Sequence, residues 1–351
     1  MNEKTESIIG CILGTAVGDA LGLPGEGLSK RRLQRIYPHL NQYDFFFGKG
    51  MVSDDTEHTC MVAQSLLVAG GNVRRFTGAL AWRLRWWLLP LPAGVGLGTL
   101  RAIVKLWLGF PKPGVFSAGN GPAMRSAIIG VCYGEDLPKL REFVRASTRL
   151  THTDPKAEYG AMAVAIAAHL ATHQSPISAA DYYQTLEGIL PPQAREFLQL
   201  IRQACHSVTQ GGDTERFASQ LGLSKGVSGY VYHTVPVAIH AWLTHQQDYR
   251  GGTIAMVRCG GDTDTTAAIV GGIIGAGTGM RGIPPEWLDN LWEWPRSVSW
   301  MKALGAKLAI ACDRAVPESA HPLAWYGIIL RNLFFLVVVL LHGLRRLLPP
   351  Y

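Results

Sequence analysis

Helical periodicity runs through almost all of this 351-residue chain, punctuated by Gly and Pro and not by alternating strands. Sustained Ala/Leu spacing of this kind argues an all-α fold. Residues 8–21 are apolar and rich in Gly and Ala, a composition suited to close packing in a core. Asp54-Asp55 opens a helix ending near Gly70. Trp-rich amphipathic stretches cover 73–89 and 95–110, with a Pro90–Pro92 break between them. Further helices are expected from near Pro122, over 154–173, 196–208 and 229–245, and over 262–280.

The apolar share of 48% excludes a disordered chain, and the length excludes a small disulfide-stapled scaffold. A prior of roughly 150 residues per domain allows about two domains, while one large helical domain fits equally. The natural division is a body over 1–315 and a hydrophobic tail over 316–351. The net charge of +7 favours acidic partners, whether phosphate groups, nucleic acid or an anionic membrane, without choosing among them. None of the six cysteines forms a CxxC pair, so zinc and thioredoxin-like chemistry lose support and free thiols in a reducing cytosol are expected. The N-terminus has no basic start running into an apolar stretch, so a secretory signal is not expected and a cytoplasmic location is.

The tail, 323–348, contains the apolar run 333–341 and is long enough to cross a bilayer. Arg331 and Asn332 interrupt it, and an Arg at membrane depth costs about 2.5–3.5 kcal/mol. Arg331 could snorkel if it lay near one interface, and Arg345-Arg346 supply a basic flank. A membrane anchor or membrane-seated helix and a buried core helix both fit this pattern.

Two strings carry candidate chemistry. Ser53-Asp54-Asp55-Thr56 precedes an apolar helix, as does Gly260-Gly261-Asp262-Thr263-Asp264-Thr265-Thr266. Each reads as an ordinary helix cap, in which Ser or Asp accepts from orphan N–H groups. One cap needs one acceptor, however, and the second string offers two carboxylates and three hydroxyls. Were the four carboxylates to converge, repulsion would raise some of their pKa values unless cations were bound. Hard oxygen donors suit Mg²⁺, Mn²⁺ or Ca²⁺ better than Zn²⁺.

Gln210-Gly211-Gly212-Asp213-Thr214 repeats part of the second string but continues into Glu215-Arg216, and it reads as a turn and cap. Gly119-Asn120-Gly121-Pro122-Ala123-Met124-Arg125 is a Gly-rich turn entering a helix, which is either a plain junction or a phosphate cradle. Thr151-His152-Thr153-Asp154 is a second polar junction.

In this order these strings, together with Gly14-Thr15-Ala16-Val17-Gly18-Asp19-Ala20-Leu21-Gly22, resemble the ADP-ribosylglycohydrolase family, which includes dinitrogenase reductase-activating glycohydrolase. The resemblance spans most of 7–312. It implies a compact multi-helix all-α domain holding two divalent cations, Mg²⁺ or Mn²⁺. It further implies metal-dependent hydrolysis that removes ADP-ribose from modified protein side chains or related conjugates, at an N- or O-glycosidic bond. By motif matching, Ser53, Asp54, Asp55, Asp262, Asp264 and Thr265 correspond to metal ligands. Glu26 corresponds to a mobile acidic residue that acts in catalysis with Asp54, Asp55 and Asp264. Gly119, Asn120, Gly121, Met124 and His152 correspond to substrate contacts. Ser53 stands where Thr is usual, and Pro122 removes one N–H from the phosphate turn. The expected partners are an ADP-ribosylated protein or other ADP-ribose conjugate and, through the tail, a membrane; no stable nucleic-acid partner is expected. The rival reading is a non-catalytic ADP-ribose-binding or structural protein on the same fold.

Overall fold

The first helix, Glu3–Gly22, begins where the Asn2 side chain accepts from Thr5 N at 2.9 Å, and Glu3 and Glu6 lie at the positive end of its dipole. From Ser7 to Gly22 every residue is buried, so this helix runs through the middle of the molecule. The structure is a computed structural model that describes residues 2–173 and 175–347. Among these residues the fold is all-α, with isolated bridges between loops and no strand.

The expected helices form as Asp54–Ala69, Val73–Trp87, Leu97–Trp107, Pro155–Ala171, Arg195–Thr209, Val231–Thr244 and Thr263–Gly282. The helix expected from Pro122 is split into Gly121–Met124 and Ala127–Tyr133. Helices not singled out in the sequence, among them Leu137–Arg149, Tyr249–Val257 and Val298–Arg314, complete the helical body. All six cysteines are free.

The first helix packs antiparallel against Thr263–Gly282, backbone on backbone. A Cβ built on Gly10, Gly14, Gly18 or Gly22 would stand 2.1–2.2 Å from the carbonyl oxygen of Gly275, Gly271, Ala267 or Thr263 respectively. A glycine at every fourth position of the first helix therefore sets the distance and the register of the pair. Thr263 Oγ1 donates to Gly22 O at 2.7 Å and Tyr249 Oη to Gly14 O at 2.6 Å, fixing the same register from the side.

The tail does not stand apart over its described part; residues 348–351 lie outside the described residues. Helix Trp325–Arg345 lies along the body, with Phe335 and Val338 buried against Leu23, Phe45 and Met51. Arg331 does not snorkel to an interface. It turns inward, where Nη2 donates to Glu293 Oε2 at 2.7 Å and to Val52 O at 2.5 Å, and Nε lies 2.7 Å from Glu293 Oε1. Asn332 Nδ2 donates to Pro90 O at 3.0 Å. The two polar residues that interrupt the apolar run are thus the ones that tie the helix down.

Gly14→Ala should lower stability by roughly 1–3 kcal/mol, since the added methyl meets backbone that cannot rotate away. Gly78→Ala, in a helix interior with nothing within 4 Å of the new Cβ, should raise it by about 0.5–1 kcal/mol. Denaturant unfolding of the two variants distinguishes a backbone contact from general intolerance of change at glycine.

Candidate functional site

Three chain segments meet at the N-terminal end of Thr263–Gly282. Gly260 and Gly261 have φ of +71° and +86°, a turn that favours glycine. A Cβ on Gly261 would also fall 2.0 Å from Val227 O. Backbone bonds stitch this turn to its neighbours: Gly27 N to Gly261 O at 2.7 Å, Gly261 N to Leu28 O at 2.8 Å, and Asp262 N to Val227 O at 2.7 Å. The loop carrying Glu26 and the turn carrying Asp262 are therefore one unit.

The two acidic strings converge. Asp55 Oδ2 accepts from Ser53 Oγ at 3.0 Å, within its own string, and from Thr265 Oγ1 at 3.2 Å, from the other. Asp55 is fully buried, and its Oδ1 has no hydrogen-bond partner. Capping accounts for Ser53, whose Oγ accepts from Asp55 N at 3.4 Å. It does not account for Asp262, which stands at the cap position without a side-chain cap bond. Asp262 Oδ2 instead accepts from Asn120 Nδ2 at 2.7 Å. Asp264 Oδ1 accepts from the neighbouring Thr265 N at 2.9 Å. At Asp213 the capping reading is sufficient, since its carboxylate accepts from Arg216 N at 2.7 Å.

Beneath the strings lies Asp19, inside the first helix. Its carboxylate accepts from Ser53 N at 2.9 and 3.0 Å, from Thr56 N at 3.2 Å and from Thr56 Oγ1 at 2.5 Å, and so holds the start of the Asp54 helix. Desolvation pushes Asp19 up to about 6 against these bonds. Asp54, Asp55 and Asp264 are raised well above the usual carboxylate range, first by burial and then by each other and by Asp19, Asp262 and Glu26. Glu26 stands exposed at the rim of an open recess of about 410 Å³ shared with Lys225, Ser228 and Asp262. The surrounding protein still raises its carboxyl by desolvation; the Asp262 charge adds to this and Arg346 opposes it. A larger apolar cleft of about 550 Å³ lies elsewhere on the surface, and the carboxylates, not the volume, identify the site.

Among the described residues no three His, Cys, Asp or Glu side chains form a ready-made metal cage. The donor set nevertheless fits a hard divalent cation. The side chains gathered are carboxylates and hydroxyls, one buried carboxylate oxygen lacks a partner, and the crowded negative charges raise one another's pKa values. Hydroxyls of Ser53 and Thr265 would complete what the carboxylates alone do not enclose.

The Gly119 turn reaches the same place. Asn120 N donates to Gly229 O at 2.9 Å, so that N–H is spent on the fold, while its side chain bridges Asp262 and Thr234. His152 stands among Gly98, Gly119 and Gly121: a Cβ on any of them would come within 2.9–3.3 Å of its ring. Arg125 Nη2 donates to Thr151 Oγ1 at 2.7 Å, and that hydroxyl is 2.8 Å from His152 Nδ1. The Nδ1 edge of the ring is committed to Thr151, and Nε2 faces the glycines. Burial first, and then the Arg125 charge, lower His152 to about 3, so the ring is neutral at physiological pH. Met124 is buried in the core.

Sequence reasoning did not single out Asp19, a lone carboxylate in an apolar helix. Its position between Gly18 and Gly22 was the available signal, since a fully buried helix has no use for an unpaired Asp. Arg125 and the Glu57–Arg296 pair (2.5 Å) were likewise not singled out.

The family model described as ADP-ribosylglycohydrolase matches residues 1–317. A protein of Archaeoglobus fulgidus named only as uncharacterized is 33% identical over 83% of this chain and 92% of its own length. The ADP-ribosyl-[dinitrogen reductase] glycohydrolase of Rhodospirillum rubrum is 26% identical over 81% of this chain and 89% of its own length. A solved structure titled ADP-ribosylglycohydrolase-related protein complex superposes with a TM-score of 0.66 at 27% identity, covering 89% of this chain and all of that one.

Acids whose folded-state pKa lies above the unfolded value bind protons more tightly when folded, so their contribution favours folding at low pH and is lost as pH rises. For Asp19 that window runs from the ordinary 3.8 to about 6, and Asp54, Asp55 and Asp264 extend it upward. Chelator-treated protein should therefore melt at a lower temperature at about pH 7.5 than at about pH 5. A melting temperature that rises over this interval would mean that the carboxylates are compensated by cationic groups of the chain.

Proposed function

The chain belongs to the ADP-ribosylglycohydrolase family, and from that membership and the site we propose that it is a divalent-cation-dependent hydrolase that releases ADP-ribose from modified protein side chains or related conjugates. The observation that carries this reading is the bridge from Thr265 Oγ1 to Asp55 Oδ2, which joins helix starts 210 residues apart and leaves Asp55 Oδ1 free to bind. A structural role has no need of so many uncompensated carboxylates.

Ser53, Asp54 and Asp55 from one helix start, with Asp262, Asp264 and Thr265 from the other, would hold two Mg²⁺ or Mn²⁺ ions. Bound there, the ions would supply Lewis acidity and a grip on vicinal ribose hydroxyls. The chain's own residues do the rest. Asn120 fixes the orientation of Asp262, and Asp19 fixes the backbone that presents Asp54 and Asp55. Negative charge around the recess favours the oxocarbenium character that develops at the anomeric carbon. Glu26 at the rim, its pKa raised, holds a proton nearer neutrality than a free Glu and moves it between the water and the leaving-group atom. The neutral His152 ring and the glycine backbone of Gly119 and Gly121 packed beside it receive the diphosphate and distal ribose.

The test is ADP-ribose release from a panel of ADP-ribosylated arginine, serine and nucleic-acid substrates with Mg²⁺ or Mn²⁺. At least one substrate should turn over, and chelation should stop it. Asp262→Asn should abolish release while leaving the helical circular-dichroism signal intact. Glu26→Gln should lower kcat roughly 10²–10⁴-fold with ADP-ribose affinity little changed. Turnover that survives full chelation would overturn the metal reading, and ADP-ribose binding without release from any substrate would favour a non-catalytic binding protein.

A further inference from the structure

Helix Trp325–Arg345 is inside out. Its polar residues Arg331, Asn332 and His342 face the body, where His342 Nε2 lies 3.2 Å from Pro24 O. Its solvent side runs from Trp325 and Tyr326 through Leu330, Leu333 and Val337 to Leu340 and Leu344, a helical stripe without a charged side chain. A surface helix of a protein surrounded only by water shows the opposite pattern. Just 28% of its most apolar 18 residues are buried, against 100% for those of the 23-residue stretch Glu3–Gly25.

The apolar surface widens on both sides of the helix. Phe334 packs edge-on against Trp292 and Phe46 at 5.5 and 5.3 Å, and Phe47 beside them is 93% exposed. Tyr326 meets Trp294 at 6.4 Å. On the other flank opens the cleft of about 550 Å³, lined by Trp82, Trp86, Leu89, Trp325, Ile328 and Ile329. Arg345 stands exposed at the end of the stripe opposite Trp325 and Tyr326, next to Arg346, whose guanidinium is turned onto the body. Contiguous exposed apolar surface beyond a few hundred Å² marks an interaction site.

We propose that this face seats the protein on an anionic phospholipid bilayer, with the helix lying in the plane of the interface and not spanning the membrane. A second copy of the chain would leave the indoles and the exposed Arg345 without their usual use, whereas interfacial Trp and Tyr with a terminal Arg are what a headgroup layer receives. Spanning is incompatible with the contacts. The helix is about 31 Å long and touches the body along its length, from Gly327 beside Trp294 to Arg346 donating to Glu26 O at 2.8 Å. Standing it across a bilayer would strip Arg331 from Glu293 and leave two buried charges unpaired. Lying flat, it immerses its outer stripe by about 5–10 Å and keeps every inward bond. Arg346 Nη2 also donates to Pro24 O at 2.6 Å, so the helix that meets the lipid holds the loop that carries Glu26.

The test is flotation of the full-length protein with vesicles of phosphatidylcholine alone or with about 30% phosphatidylglycerol, and it does not depend on the reaction. The protein should float with the anionic vesicles and be partly released by salt. Leu340→Glu with Leu344→Glu should weaken that binding at least about tenfold while leaving the fold and soluble-substrate turnover unchanged. A fluorophore placed at Leu330→Cys or at Leu344→Cys should be quenched by lipids brominated near the headgroups, to the same shallow depth at both sites. One label at the bilayer centre would establish a span and overturn the seat. No flotation with either vesicle would overturn it as well, as would a dimer dispersed by the same two Glu substitutions with no lipid binding.

Discussion

Everything at the site depends on how closely two helix backbones approach. Glu3–Gly22 and Thr263–Gly282 touch through glycine at four successive turns, with no room for a single Cβ between Gly10 and Gly275 or between Gly14 and Gly271. That contact sets the register along the pair. It places Asp19, one residue beyond Gly18, under the start of the Asp54 helix, and it brings Thr263 Oγ1 onto Gly22 O just before the Glu26 loop. One larger side chain in the seam would separate the two acidic strings as well as weaken the core.

The site is held open by polar groups that the fold has committed elsewhere. Asp19 spends its lone pairs on Ser53 and Thr56, Asn120 spends its amide on Asp262 and Thr234, and Glu57 is paired with Arg296 and Trp87. Glu293 takes Val52 N at 3.2 Å and Arg331, steadying the residue next to Ser53. What remains outside any ion pair among the described residues is the cluster of Asp54, Asp55, Asp262 and Asp264. Paired charges form the frame and unpaired charges form the site, the arrangement expected where a cation completes the electrostatics.

The C-terminal helix connects this frame to the outer surface. Its inner face supplies Arg331 to the Val52 backbone and Arg346 to the Pro24 and Glu26 carbonyls, on either side of the recess. The loop that carries Glu26 is therefore tied to the C-terminal helix, with Leu23–Gly25 wound as a single tight turn on the end of the first helix.

The sequence by itself determined the helical class, the glycine turn at Gly260-Gly261, the two acidic helix starts and the plain cap at Asp213, because each follows from local backbone preference and residue chemistry. It carried the family strings and, with them, the expected identity of the site. It did not decide whether a carboxylate at a helix start caps or converges. Ser53 and Asp262 look alike in sequence, yet only the first caps its helix, because Asn120 stands within reach of the second. Nor did it decide the tail, since an apolar run of that length reads alike as core and as lipid-facing helix. Only the tertiary structure gave Arg331 a partner 38 residues away in Glu293 and so turned the polar face inward and the apolar face outward. Long-range contacts choose which face of a helix is buried, and local sequence carries no record of the partner.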